Sequence, residues 1–149
     1  MRTIDELETF LDTPMDGVPV HEIATRYLRA GEEIMLNWLK AKNVAPTDQK
    51  KEGFSLLAWQ RQGSKGDPSF NACRETCREI AWHYNLLTMD PKHEQTTQRI
   101  LMMRMVTKHL VLFIGNKMQD EQVGEFCCSS RVNRLKKAEI ESQAGENHG

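Results

Sequence analysis

The sequence has no apolar run long enough to span a bilayer, which takes about 20 residues. Its richest stretch, Ile100–Ile114 (ILMMRMVTKHLVLFI), is interrupted by Arg104, Lys108 and His109. There is no surplus of one charge either: 20 Lys and Arg against 21 Asp and Glu leave a net −1, a poor match for a general polyanion binder. Strand-like alternation, a glycine-rich phosphate loop, a C-x2-C knuckle and a nucleophile–base motif are all missing. Cysteine is sparse at four residues, and the acidic, amphipathic N-terminus lacks the apolar core of a secretory signal. Reduced thiols and cytoplasmic residence are therefore expected rather than a disulfide framework.

What remains is helical. With 39% hydrophobic and 28% charged residues in 149, the chain can bury the core of one domain. Thr3-Ile-Asp-Glu6 forms a capping box that opens a helix through about Leu11. Pro14, Gly17 and Pro19 then mark a loop. From about Pro19 to Lys42, Val20, Ile23, Ala24, Tyr27, Ile34, Met35, Trp38 and Leu39 recur at helical spacing. A third helix is expected from a cap at Thr47 or Asp48 to about Gln62. A fourth opens at Asp67-Pro68 and runs to about Thr88, burying Phe70, Cys73, Cys77, Ile80, Ala81, Tyr84 and Leu87.

The fifth and longest helix, at the centre, is expected over about 91–118, with Asp90 as N-cap, Pro91 in the first turn and a weakening at Gly115-Asn116. Its wheel puts Met102, Val106, His109 and Phe113 inward, and Thr97, Arg104 and Lys108 on a polar stripe opposite. Beyond it a short helix is expected within Ser130–Ile140. The expected fold is thus all-α, one bundle of about five helices over residues 1–141, with a disordered tail at 142–149.

Candidate sites are few, and each has a plainer explanation beside it. Cys73 and Cys77 stand four apart on one helical face, close enough to share a soft metal. Cys127 and Cys128 would complete a four-thiolate zinc or iron–sulfur site, with His109 as a further ligand. Against this, Cys73 and Cys77 share their face with core residues, and cysteine is commonly buried. Glu75, Glu79 and His83 make a ladder that could bind a divalent ion, but the spacing fits a solvated, salt-bridged face better.

The segment around Glu-Ile-Ala-Thr in Val20–Lys42 invites a helix-turn-helix reading. Gly31 falls too late for its turn, and Glu32 and Glu33 occupy positions where a reading helix needs basic or amide groups. The cluster Arg131, Arg134, Lys136 and Lys137 suits a solvated tail. Trp82, Leu86 and Met89 lie away from the cysteine face, and Leu101 and Leu112 lie beside the polar stripe. Together they suggest a surface where a protein could dock.

The function expected from these features is non-catalytic: a small helical protein that binds another protein or a second copy of itself, with no resident cofactor. The alternatives are a metal- or cluster-binding accessory or thiol sensor built on Cys73, Cys77, Cys127 and Cys128, and a DNA-binding regulator. Neither a membrane nor nucleic acid is an expected partner.

Overall fold

The computed structural model describes residues 1–65 and 73–120. Within them lie five helices and no strand: α1 (Ile4–Leu11), α2 (Val20–Ala41), α3 (Ser55–Gly63), α4 (Arg74–Met89) and α5 (Thr96–Asp120). The all-α, five-helix bundle expected from the sequence is the fold. α2 packs against all four other helices, while α4 and α5 lie side by side. The anticipated start at Asp67-Pro68, the short helix in 130–140 and the tail from 142 lie outside the described residues.

The capping box of α1 forms as the sequence specifies: Thr3 Oγ1 accepts from the Glu6 N–H at 3.1 Å, and the Thr3 N–H donates to Glu6 Oε1 at 3.0 Å. Three other boundaries move. α3 begins at Ser55 because residues before it form a tight turn, in which Lys51 and Phe54 exchange backbone hydrogen bonds of 3.1 and 3.0 Å. Its central residues, Glu52 (φ 54) and Gly53 (φ 86), occupy left-handed backbone, the pattern of a hairpin-type turn. Arg78 of α4 grips the Glu52 carboxylate with two bonds of 2.8 and 3.0 Å, which offsets the unfavourable backbone of a non-glycine residue there.

Asp90 terminates α4 rather than starting α5; its N–H donates to Leu86 O at 3.1 Å. A residue before proline is pushed out of helical geometry, so Pro91 ends α4 at Met89. α5 starts only at Thr96. It also runs through Gly115 and Asn116 to Asp120, since Ile114 and Met118 on either side are both in the core.

The core centres on α2, with Ile34, Met35, Trp38 and Leu39 fully buried. α2 is continuous through Gly31, so a helix-turn-helix has no turn in this segment. Two glycines show how tightly its neighbours approach. A Cβ on Gly63 would stand 2.7 Å from Trp38 Cδ1, and the indole N–H of Trp38 already donates to Gly63 O at 2.8 Å. A Cβ on Gly31 would meet Ile80 and Leu56 side chains at 3.4–3.7 Å, ordinary contact.

The N-terminus is tied to α2 by a charge cluster absent from the expectations above. Glu33, 5% exposed, accepts from the Arg2 backbone N–H at 2.8 Å and from its guanidinium at 2.8 and 3.2 Å. Arg29 adds a contact at 3.3 Å, and Asn37 bridges Arg2 O and Glu33 O. Burial alone would raise the Glu33 pKa, but the hydrogen bonds and charges of Arg2, with Arg29, outweigh it and hold the carboxyl below its ordinary 4.5.

Two stability predictions arise. Gly63→Ala is expected to cost about 1–3 kcal/mol by overpacking against Trp38, whereas Gly31→Ala should be neutral or stabilising by up to about 1 kcal/mol. Urea denaturation of both variants checks the contrast. For Glu33, a depressed folded pKa means that its contacts stabilise the chain above the unfolded value and are lost as pH falls through the folded one. Glu33→Gln should cost about 1–3 kcal/mol near neutrality and show a smaller stability loss than wild type between about pH 5 and pH 3. Equal pH slopes for the two proteins would refute the assignment.

Candidate functional site

The rotation of α5 about its axis defines the most distinctive surface. Its core face is Met103, Thr107, Leu110, Val111, Ile114 and Met118, all at most 1% exposed. Thr107 is satisfied there by donating to Met103 O at 2.7 Å. The expected polar stripe does not face solvent freely: Arg104 Nε donates to Leu11 O at 2.7 Å, and Lys108 pairs with Asp12, at the C-terminal end of α1. A cation beside the last carbonyls of a helix is favourably placed.

That anchoring corrects the inward placement of Met102 and His109. Both are exposed, and Val106 and Phe113 are half-buried. Leu101 (49%), Met102 (45%), Met105 (55%) and Leu112 (38%) are large apolar side chains open to solvent, and His109 lies among them. At 3.6 residues per turn these five fall within an arc of about 100°. Leu101 and Leu112 were expected in such a surface; Met102, Met105 and His109 were not. Apolar residues encircle much of α5, so periodicity could not tell its inner side from its outer one.

On α4, Trp82 (62%) and Met89 (82%) are exposed as expected, while Leu86 is half-buried. Trp82 borders an open concavity of about 290 Å³ together with Phe54, Leu57, Ala81 and Asn85, the Glu52–Arg78 pair, Glu75 and Glu79. His83 turns away from any such role: its Nδ1 lies 2.8 Å from Glu79 O of its own helix. Glu75 and Glu79 are exposed to solvent, so the carboxylate–histidine ladder does not converge on an enclosed site.

Cys73 and Cys77 are both reduced and buried, at 3% and 0% exposure. Cys73 caps α4, and Gln60 Nε2 of α3 lies 3.9 Å from its sulfur. Contact with the neighbouring Cys77 thiol lowers the Cys73 pKa; burial opposes this, and Gln60 and a backbone N–H assist. The same contact, with burial, raises Cys77 well above the ordinary thiol value. Among the described residues no group of three His, Cys, Asp or Glu side chains converges as a metal site, and exposed His109 does not sit on the buried thiol face. Cys127 and Cys128 lie outside the described residues.

No helix among the described residues is long and apolar enough to cross a membrane. The chain matches no known family model, no curated protein and no solved structure.

Burial fixes what the thiols should do in solution. Brief alkylation of the native protein should leave Cys73 and Cys77 unmodified, with both labelled after denaturation, as read by peptide mass mapping. Rapid native labelling of Cys73 would show that solvent reaches the pair.

Proposed function

We propose that this protein acts without catalysis, by binding another protein through the outer strip of α5. The observation that carries the proposal is that strip: Leu101, Met102, Met105, His109 and Leu112 stand exposed and close together on one helix. Clustered apolar exposure on a rigid element is costly to leave in water and is characteristic of docking surfaces. Methionine suits the role because its unbranched, polarisable side chain adapts to the shape it meets. Exposed Trp82 and Met89 on α4, with half-buried Leu86, offer a second apolar patch of the same character.

A metal- or thiol-based accessory role is the second proposal, favoured by two free thiols four residues apart, Cys73 at the N-cap of α4 and Cys77 in its first turn. Zinc or an iron–sulfur cluster would need Cys127 and Cys128 as further ligands. Metal analysis and a visible spectrum of anaerobically purified protein test the metal role, and blanks in both would dismiss it; unchanged thiol content after mild peroxide treatment of the native protein would dismiss the thiol role.

The docking proposal is tested by the double variant Met105→Glu/Leu112→Glu. Both positions are exposed, so the helical circular dichroism and melting temperature should stay near wild type. Partner recovery in quantitative affinity capture from native cells should fall by about tenfold or more, as expected when charge enters an apolar interface. Undiminished recovery would remove α5 as the docking element.

A further inference from the structure

We infer that the concavity between α4 and the turn before α3 binds an arginine side chain from a peptide segment of another protein. The site is built on α4 rather than α5, and it stands or falls apart from the α5 strip. What supports it is an unengaged tryptophan beside unpaired carboxylates in one hollow. The protein's other two indoles, Trp38 and Trp59, each donate to a carbonyl, Gly63 O and Thr47 O, both at 2.8 Å. Trp82 is 62% exposed, and among the described residues its indole has neither a hydrogen bond nor a ring or cation against it.

Glu75, Glu79 and Trp82 stand at i, i+4 and i+7 and so share one face of α4. Glu52, Phe54 and Leu57 line the hollow from the turn and α3. Arg78, the one cation in the lining, is taken by Glu52 through both terminal nitrogens, at 2.8 and 3.0 Å. Arg74 is exposed and lies outside the lining. Glu75 and Glu79 are exposed and make no ion pair among the described residues. Three carboxylates against one guanidinium leave the lining at −2.

Charge and ring together select the guest. A metal ion needs converging ligands, and no such group exists among the described residues. A neutral or acidic side chain gains nothing from the carboxylates. A guanidinium stacks on an indole face while its N–H groups, spread in a plane, reach carboxylates at its edge. It is also more weakly hydrated than an ammonium, so it loses less on entering. The fold makes related contacts elsewhere: Arg2 lies 4.7 Å from the Phe10 ring centre, and Lys42 5.4 Å from that of Trp38.

Size and shape point to one side chain of a longer chain. At about 290 Å³ the hollow is at the small end of pockets that enclose whole ligands, roughly 300–1,000 Å³. Past Glu52, Phe54 and Asn85 it adjoins a second hollow of about 410 Å³ that reaches Leu28 and Tyr84, leaving room for residues that flank the arginine. The walls are held in advance. The Glu52–Arg78 pair and the edge-on contact of Phe54 with Tyr84, ring centres 5.9 Å apart, tie the turn to α4. A site already in its bound shape loses little in ordering.

NMR titration of the full chain with acetyl-Gly-Ser-Arg-Ser-Gly-amide, up to about 10 mM, tests this. The signal followed is the indole N–H of Trp82, which Trp82→Phe identifies by its loss. The expected result is a saturable shift that the same peptide with citrulline, an uncharged isostere of arginine, produces only at about tenfold higher concentration or more. Glu75→Gln/Glu79→Gln should weaken binding by a similar factor. Asp16→Asn, at an exposed carboxylate in the loop before α2, should leave it unchanged. These are surface replacements of like shape, so the circular dichroism of each variant should match wild type.

Equal shifts for the arginine and citrulline peptides overturn the inference. So does equal weakening by Asp16→Asn, which would make the attraction diffuse charge. Equal affinity for N-acetylargininamide overturns it as well, because the guest would then be a small cation rather than a peptide. The absence of any saturable shift has the same force, including the case in which the chain's own basic residues at 131–137 fill the hollow. The α5 docking reading survives each of these outcomes, since none of the altered positions lies on that helix.

Discussion

The exposed apolar strip of α5 depends on how two cations of that helix meet the end of α1. Arg104 reaches Leu11 O and Lys108 reaches Asp12, across 93 and 96 residues of sequence. A 25-residue helix with apolar side chains around much of its circumference has no strong preference for which arc it buries. The hydrophobic effect is non-directional and would accept several rotations. A guanidinium bonded to a carbonyl is directional. With that bond made, Met103, Leu110, Val111 and Ile114 face the core, and the strip from Leu101 to Leu112 faces outward.

The same division explains what could be read from the sequence. The capping box at Thr3 and Glu6 was legible because its partners are three residues apart. The long amphipathic helix of Val20–Ala41 was legible because its polar and apolar faces are distinct. The burial of Cys73 and Cys77 followed from the company they keep on α4. The start of α5 was not legible, because Asp-Pro is both a helix-opening signal and, through the restriction proline puts on its predecessor, a helix-ending one. Here the second use won, with Asp90 closing α4. The orientation of His109 was illegible for a deeper reason: it depends on where α1 ends in space, and local periodicity holds no such information.

Several polar groups inside this bundle are held by specific partners, although Gln119 Oε1 is buried without one among the described residues. Glu33 is buried against Arg2 and Arg29, Trp38 donates to Gly63 O, and Thr107 donates within its own helix. The thiol pair departs from this pattern, since the buried amide of Gln60 is aimed at sulfur, a weak acceptor, at 3.9 Å. A thiolate would accept far better than a thiol, so the same geometry that lowers the Cys73 pKa also gives Gln60 a stronger bond in the ionised state. Burial opposes that state and keeps both thiols from solvent. Two thiolates alone make an incomplete site for zinc, and that restricts any metal role to arrangements with ligands from beyond Asp120.

The composition of the outer strip bears on what kind of contact it makes. A permanent interface resembles a domain core cut in two and is large and apolar. The core of this protein uses Ile, Leu, Ala and Trp together with Met35, Met103 and Met118, and the outer strip holds two methionines, two leucines and a histidine between terminal amides, Gln98 and Asn116. Methionine packs well but specifies shape weakly, and amides at the ends can be rehydrated when the contact opens. Under the proposed function, the face of α5 that stabilises the fold and the face that would meet a partner are opposite sides of one helix, one buried and one exposed. Changes on the exposed side leave the core contacts of α5 in place, and Arg104 and Lys108, bonded to Leu11 O and Asp12, fix which side is which.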